Sequence, residues 1–208
     1  YFNTIDSNRW FKKGLKIIGI QLSEQVLEDG GNFELSPSYH VNFLEDVLDI
    51  INILKTYNNY LYYSKDFILE LELTAKKMIE WLHAVVWHDG SLPSFNDSAN
   101  NTSVSCKKIT SYASRLGIQV NDERAFSTLA YKHLKESGYL IIFQGNNKVI
   151  LDIGKIGPEY LTAHSHADTL SFEMEIANHK LLVNSGTSCY GISNRRYFER
   201  STKAHNTV

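Results

Sequence analysis

Two histidines and an aspartate stand at alternate positions in His164-Ser165-His166-Ala167-Asp168. On a strand, a period of two puts all three on one face. That face would continue through Leu170, Phe172, Met174 and Ile176, leaving Thr169, Ser171, Glu173 and Glu175 on the other. Ionisable groups on an apolar face are costly unless paired or metal-bound. Two histidines so spaced suit one shared metal, or a division of labour between metal and substrate. A loop of solvated histidines ahead of the strand gives the same pattern, and spacing leaves both readings open. His205 is a third histidine that would either complete a site with His166 or lie at the surface. Tyr39 ends Glu34-Leu35-Ser36-Pro37-Ser38-Tyr39 at a helix start. A phenol there is either a packing residue or, where its charged form is favoured, an acid and base. His83, His88, His133 and His179 read as helix-surface or turn residues without a role.

The elements that must hold these residues fall into two halves. Residues 8–28, 39–57 and 63–87 repeat apolar side chains at helical spacing, most regularly Val41, Leu44, Leu48 and Ile51. Ser36-Pro37 is a helix start, with Ser36 as cap and Pro37 in the first turn. Antiparallel hairpins of such helices suit a bundle or an α/α toroid, and three helices do not close a toroid. The polar residues 89–105 form a loop long enough to be functional. Residues 122–135 read as a short amphipathic helix.

The period then changes to two. Residues 139–143 and 148–152 flank the hairpin signal Gly145-Asn146-Asn147. Residues 169–176 and 180–183 flank a turn at Asn178-His179. That turn pairs Asn184 with Glu173 on the outer face unless a bulge intervenes. The expected fold is α+β, with part of an α/α toroid and a connecting loop over residues 1–135. Part of an antiparallel β-sandwich follows over 136–208.

Composition bounds the function. The chain has 208 residues, 43% of them hydrophobic and 21% charged, as in globular proteins. Its formal net charge of −2 gives no basic surplus for nucleic acid or an anionic membrane. No apolar run reaches the ~20 residues of a membrane helix. Cys106 and Cys189 fit no metal spacing and read as free thiols, with one disulfide between them as the alternative. A first residue other than methionine and an open helical array together suggest an internal piece of a longer protein. Exposed helix faces in such a piece suggest pairing with a second copy.

Three blocks carry a family resemblance. One runs from Gly157-Pro158 through His164-Ser165-His166-Ala167-Asp168 to Glu173. Another is Leu181-Leu182-Val183-Asn184-Ser185-Gly186-Thr187 with the ending from Arg200 to Val208. The third is Asp29-Gly30-Gly31-Asn32-Phe33-Glu34-Leu35-Ser36-Pro37-Ser38-Tyr39-His40. In this order they resemble the heparinase II/III-like family of bacterial polysaccharide lyases. The resemblance implies a toroid paired with a β-sandwich, a site between them, and β-elimination on a uronic-acid polysaccharide. It implies Tyr39 and His164 as the catalytic pair, exchanging base and acid roles according to the epimer cleaved, and Tyr190 and Arg200 as substrate-binding residues. It implies a divalent metal, zinc, on His166, Asn184 and His205. It implies an anionic polysaccharide as partner, a possible homodimer, and a periplasmic or secreted location.

Two departures stand out. The family's metal-binding aspartate is Asn184 here, and a neutral amide is a poorer zinc ligand. The residue that neutralises the substrate carboxylate lies well before the tyrosine in the family, and the 38 residues before Tyr39 lack its motif. The chain alone is therefore expected to be inactive. The competing reading is a non-catalytic or biosynthesis-linked carbohydrate-binding protein that keeps the fold. The catalytic reading expects Tyr39 and His164 within about 5–10 Å of each other. It also expects His166 and His205 to converge from neighbouring strands.

Overall fold

The computed structural model describes residues 5–58, 63–99, 102–120, 128–158, 160 and 162–207. Four helices come first: α1 (Ile5–Gln25), α2 (Pro37–Thr56), α3 (Lys65–Val85) and α4 (Cys106–Arg115). A sheet follows: β1 (Ala130–Leu134), β2 (Tyr139–Gln144), β3 (Asn147–Asp152), β4 (Phe172–Ile176) and β5 (His179–Leu182). Helix α5 (Asn194–Glu199) and a 3₁₀ turn (Thr202–Ala204) close the described chain.

The apolar stripes of α2 and α3 form the core. Leu44, Leu48 and Ile51 of α2 meet Leu71, Met78 and Leu82 of α3, all fully buried. Ser64 caps α3 by accepting from the Phe67 N–H. Helix α1 contributes only Leu22 to the buried set, while Trp10, Ile17 and Ile20 are half or more exposed. Helix α4 escapes the sequence reading because it buries only Cys106, Ile109 and Ala113 on an otherwise polar surface. Neither Cys106 nor Cys189 forms a disulfide among the described residues.

The sheet is an antiparallel meander in the order β1-β2-β3-β4-β5. It opens at Ala130, where a helix was expected over residues 122–135; residues 121–127 lie outside the described set. The β4–β5 turn falls at Ala177-Asn178, one residue earlier than expected. Both residues have positive φ, 50° and 64°, which is the backbone a tight hairpin of this twist requires. A bulge at Met174/Glu175 then shifts the register of β5.

The two faces of the sheet reverse the expected polarity. Lys148, Asp152, Glu173 and Glu175 face the helical half and are buried. Phe172 and Met174 take the other face and are half-buried, and Ile176 and Leu182 are exposed there. Glu173 and Glu175 were expected on the outside. They point inward because the helical half offers them donors. The Ser94 N–H donates to Glu173 (2.9 Å), and the His88 N–H and Nδ1 meet Glu175 (3.3 and 2.9 Å). In the same layer Lys148 Nζ donates to the Val86 carbonyl at 2.7 Å.

Further cross-links tie the halves together. Trp81 Nε1 donates to Ser137 Oγ, whose backbone and hydroxyl donate to Asp29. The Tyr139 hydroxyl donates to the Leu35 carbonyl at 2.7 Å. Gly138 has φ of 77°, and a Cβ there would sit 2.1 Å from the Gly154 Cα, so no larger residue fits.

Candidate active site

Tyr39 stands in the first turn of α2, set by the strained segment before it. Gly30 has φ of 88°, and a Cβ on it would meet the Lys77 carbonyl at 2.3 Å. Leu35 takes φ of 57°, unusual for a branched residue, and its carbonyl accepts from both Asn96 Nδ2 and Tyr139. Pro37 then begins the helix behind the extended Ser36. The outcome is a half-buried phenol facing His164, with ring centres 4.1 Å apart and planes 35° apart.

His164, His166 and Asp168 are not on a strand. They lie in the loop between β3 and β4, and β4 begins only at Phe172. A turn in which the Ser171 N–H donates to the Asp168 carbonyl, with Leu170 at φ of 65°, interrupts the extension. The loop's polar backbone groups are satisfied from elsewhere. The His164 carbonyl accepts from the Asp97 N–H, the His166 N–H donates to Asn96 Oδ1, and the Ala167 N–H donates to the Arg200 carbonyl. Asp168 accepts the Asn96 N–H at 3.0 Å.

The centre of the arrangement is Asp97, which sequence reasoning missed. Its only signal was membership of the long polar loop over residues 89–105. Asp97 is completely buried. It accepts from His164 Nδ1 (3.0 Å), His166 Nε2 (2.8 Å), both Arg196 Nη atoms (2.5 and 2.7 Å) and Thr187 Oγ1 (3.2 Å). Burial pushes its carboxyl up, but the bonds from His166, Arg196 and His164 outweigh burial and hold it well below the usual carboxylate range.

Around this node lies a cleft of about 280 Å³ lined by His164, Tyr190, Arg196, Tyr197 and Arg200 among others. A larger cavity of about 580 Å³ between α3 and the β1–β3 edge takes none of the expected site residues. Tyr190 lies near Tyr39, and the Arg196 guanidinium lies 5.4 Å from the Tyr190 ring centre. Arg200 donates to the Ser165 carbonyl from Nε and Nη2 (2.9 and 2.7 Å) and to the Thr162 carbonyl. It fixes the histidine loop and also borders the cleft. Glu34 stands 4.0 Å from His164 Nε2. Burial, the neighbouring Tyr190 side chain and the charges of Asp97 and Glu34 push the Tyr39 hydroxyl above its ordinary pKa.

His166 and His205 meet, with Nδ1 and Nε2 3.1 Å apart. His205 arrives from the end of the 3₁₀ turn rather than from a neighbouring strand. Each outer N–H is anchored, on Asp97 for His166 and on the Ser201 carbonyl for His205 (2.8 Å). That is the support ligating imidazoles receive in metal sites. Asn184 spoils the set. Its N–H donates to Glu173 and its Oδ1 accepts from the Asn206 N–H at 2.9 Å. The atom left over is Nδ2, buried without a hydrogen-bond partner, and an amide nitrogen does not ligate zinc. Among the described residues no group of three His, Cys, Asp or Glu side chains has metal-holding geometry. The two histidines fit a zinc centre; the third position does not.

Comparison with known proteins agrees with this architecture. The family model for the heparinase II/III N-terminus matches residues 3–119, and that for the heparinase II/III-like C-terminal region matches 127–208. A heparin-sulfate lyase of Bacteroides stercoris is 26% identical over 96% of this chain and 31% of its own length. One from Pedobacter heparinus is 25% identical over 98% of this chain and 32% of its own. The crystal structure of a heparinase III superposes with a TM-score of 0.78 at 18% identity, over 98% of this chain and 35% of that one. The chain thus spans about a third of the length of these relatives. Its α+β fold is part of the helical toroid and following β-sandwich of the heparinase III structures. With both family regions matched in order along nearly all of its length, the chain belongs to the heparinase II/III-like family.

Proposed function

We propose that the whole protein is a polysaccharide lyase that cleaves a uronic-acid polysaccharide by β-elimination at the cleft bordered by His164, with Tyr39 stacked beside it. The observation that carries this reading is the 4.1 Å stacking of those two rings. Elimination needs a base at C5 and an acid at the C4 oxygen of one sugar ring, and two such groups side by side suit it. His164 donates Nδ1–H to Asp97, so its Nε2 lone pair is the base and takes the C5 proton. The C–H electrons form the C4=C5 double bond and the C4–O bond breaks. Tyr39, kept protonated by its raised pKa, gives its proton to the leaving oxygen. The products are an unsaturated uronate end and a shortened chain.

Arg200 bonds to neutral carbonyls, so its charge remains to attract the substrate carboxylate. Tyr190 gives an exposed ring for sugar packing. No step runs through a metal, because Asn184 leaves the histidine pair without an anionic third ligand. The relatives are named for heparin sulfate, which makes glycosaminoglycans of that class the first substrates to try. A periplasmic or secreted location and a homodimer joined through the helical half belong to the same proposal. Among the described residues no helix is long and apolar enough to cross a membrane.

The test uses the full-length protein on a panel of uronate polysaccharides, following the absorbance of the conjugated product. Product is expected with at least one substrate, and Tyr39→Phe or His164→Ala should abolish it. Tight binding without product from any uronide would favour the carbohydrate-binding reading, to which Asn184 already lends some weight.

A further inference from the structure

We propose that Asp97 is a positioning residue for His164: its buried carboxylate fixes the imidazole proton on Nδ1 and so presents Nε2 to the substrate. The inference rests on the lyase reading of the same cleft. A carboxylate only accepts, so the His164 nitrogen 3.0 Å from Asp97 Oδ2 must carry hydrogen. A neutral imidazole has a single N–H, which leaves Nε2 with the lone pair. Nothing on the imidazole itself prefers that tautomer; the choice is imposed by the partner.

Asp97 is held where it can impose it. The two Arg196 donors form a bidentate pair with its two oxygens, which fixes the carboxylate plane. His166 and Thr187 add donors to Oδ1. The Asp97 N–H donates to the His164 carbonyl, so the two residues are joined through backbone and side chain at once. Arg196, engaged this way, acts on the substrate through Asp97 and not as a direct ligand of the sugar.

Every side-chain partner of Asp97 is a donor, which makes Asp97→Asn an informative change. An amide has one accepting atom, and its NH₂ would face N–H groups. His164 then relieves the clash by accepting at Nδ1 and moving its proton to Nε2, which removes the base.

The experiment combines tautomer and kinetics in the full-length protein. Selective ¹⁵N-histidine labelling, with His164→Ala to assign the signal, reads which nitrogen bears the proton. The wild type should show Nδ1–H, and Asp97→Asn should shift the signal toward Nε2–H. In the same variant kcat should fall on the order of 10²–10⁴-fold, the range for loss of a general base, with KM within about threefold since no sugar contact is removed. Wild-type His164 protonated on Nε2 overturns the proposal, and this measurement needs no variant to fold. A rise in KM with kcat unchanged also overturns it. Wild-type protein that shows Nδ1–H but cleaves no uronide sinks the lyase reading and leaves the placement by Asp97 standing.

Discussion

Two sets of buried carboxylates behave oppositely. Asp97 is ringed by two imidazoles, a guanidinium and a hydroxyl, and its carboxyl is held low. Asp152 and Glu173 are nearly as deeply buried, but among the described residues neither is in an ion pair, and Lys180 acts on Glu173 only from a distance. Burial, with the Asp168 charge beside it, lifts Asp152 from 3.8 to about 7. Burial likewise lifts Glu173 from 4.5 to about 7, against hydrogen bonds from the Asn184 and Ser94 N–H groups. Depth of burial therefore does not decide charge in this molecule; the number and sign of the donors do.

The strongest way to break that contrast is to empty the first set. Asp97→Ala leaves Arg196 buried without its partner, and a loss of about 3–5 kcal/mol in stability is expected from denaturant melts. A loss within the range of a surface substitution would mean that Arg196 is not confined as described.

The second set makes a prediction with the opposite sign. A carboxyl lowered on folding contributes stability above its unfolded pKa and loses it in acid, which is the Asp97 case. A carboxyl raised on folding contributes stability at low pH and loses it as pH climbs from its unfolded value to its folded one. For Asp152 that window runs from 3.8 to about 7. Asp152→Asn should accordingly stabilise the protein by about 1–3 kcal/mol near pH 8 and by almost nothing near pH 4. Thermal melts at the two pH values would show it, and an equal gain at both would refute the charge argument.

A smaller effect should follow from giving the histidine pair an anionic neighbour. Asn184→Asp frees one oxygen while the other still accepts from Asn206. Zinc affinity should rise by a factor on the order of 10–100, read by titration calorimetry or by metal content after dialysis. An unchanged affinity would remove Asn184 from the metal question. The smallest change is Thr187→Val, which takes one donor from Asp97 and leaves the rest. Its expected cost is about 0.5–1.5 kcal/mol.

The contrast also marks what the sequence could disclose. Helices α2 and α3 were legible because their apolar residues recur on one stripe and nothing contradicts it. The β2–β3 hairpin was legible from its Gly-Asn turn. The strand drawn back through His164 was not correct, although the alternation was real. Alternation cannot reveal that Asn96, Asp97 and Arg200, distant in the chain, satisfy that backbone. The same blindness put Glu173 and Glu175 outside, since period two separates faces without saying which is covered. Asp97 carried no spacing signal at all, because its side-chain partners come from three other segments. Tyr39, His164, His166 and His205 were legible as candidates through motif order, and their convergence required the fold.

The loop that carries Asp97 has little secondary structure of its own, yet its amides are bonded to the other half of the molecule. Ser94 is bonded to Glu173, Asn96 to Asp168 and Asp97 to the His164 carbonyl. Such a segment has no private opening equilibrium. In hydrogen exchange these three amides should be released together, at the rate at which the loop parts from β4 and the histidine segment, and more slowly than a polar surface loop of this length would suggest. The site is in that sense a seam between two folding units, present only while both are closed on each other.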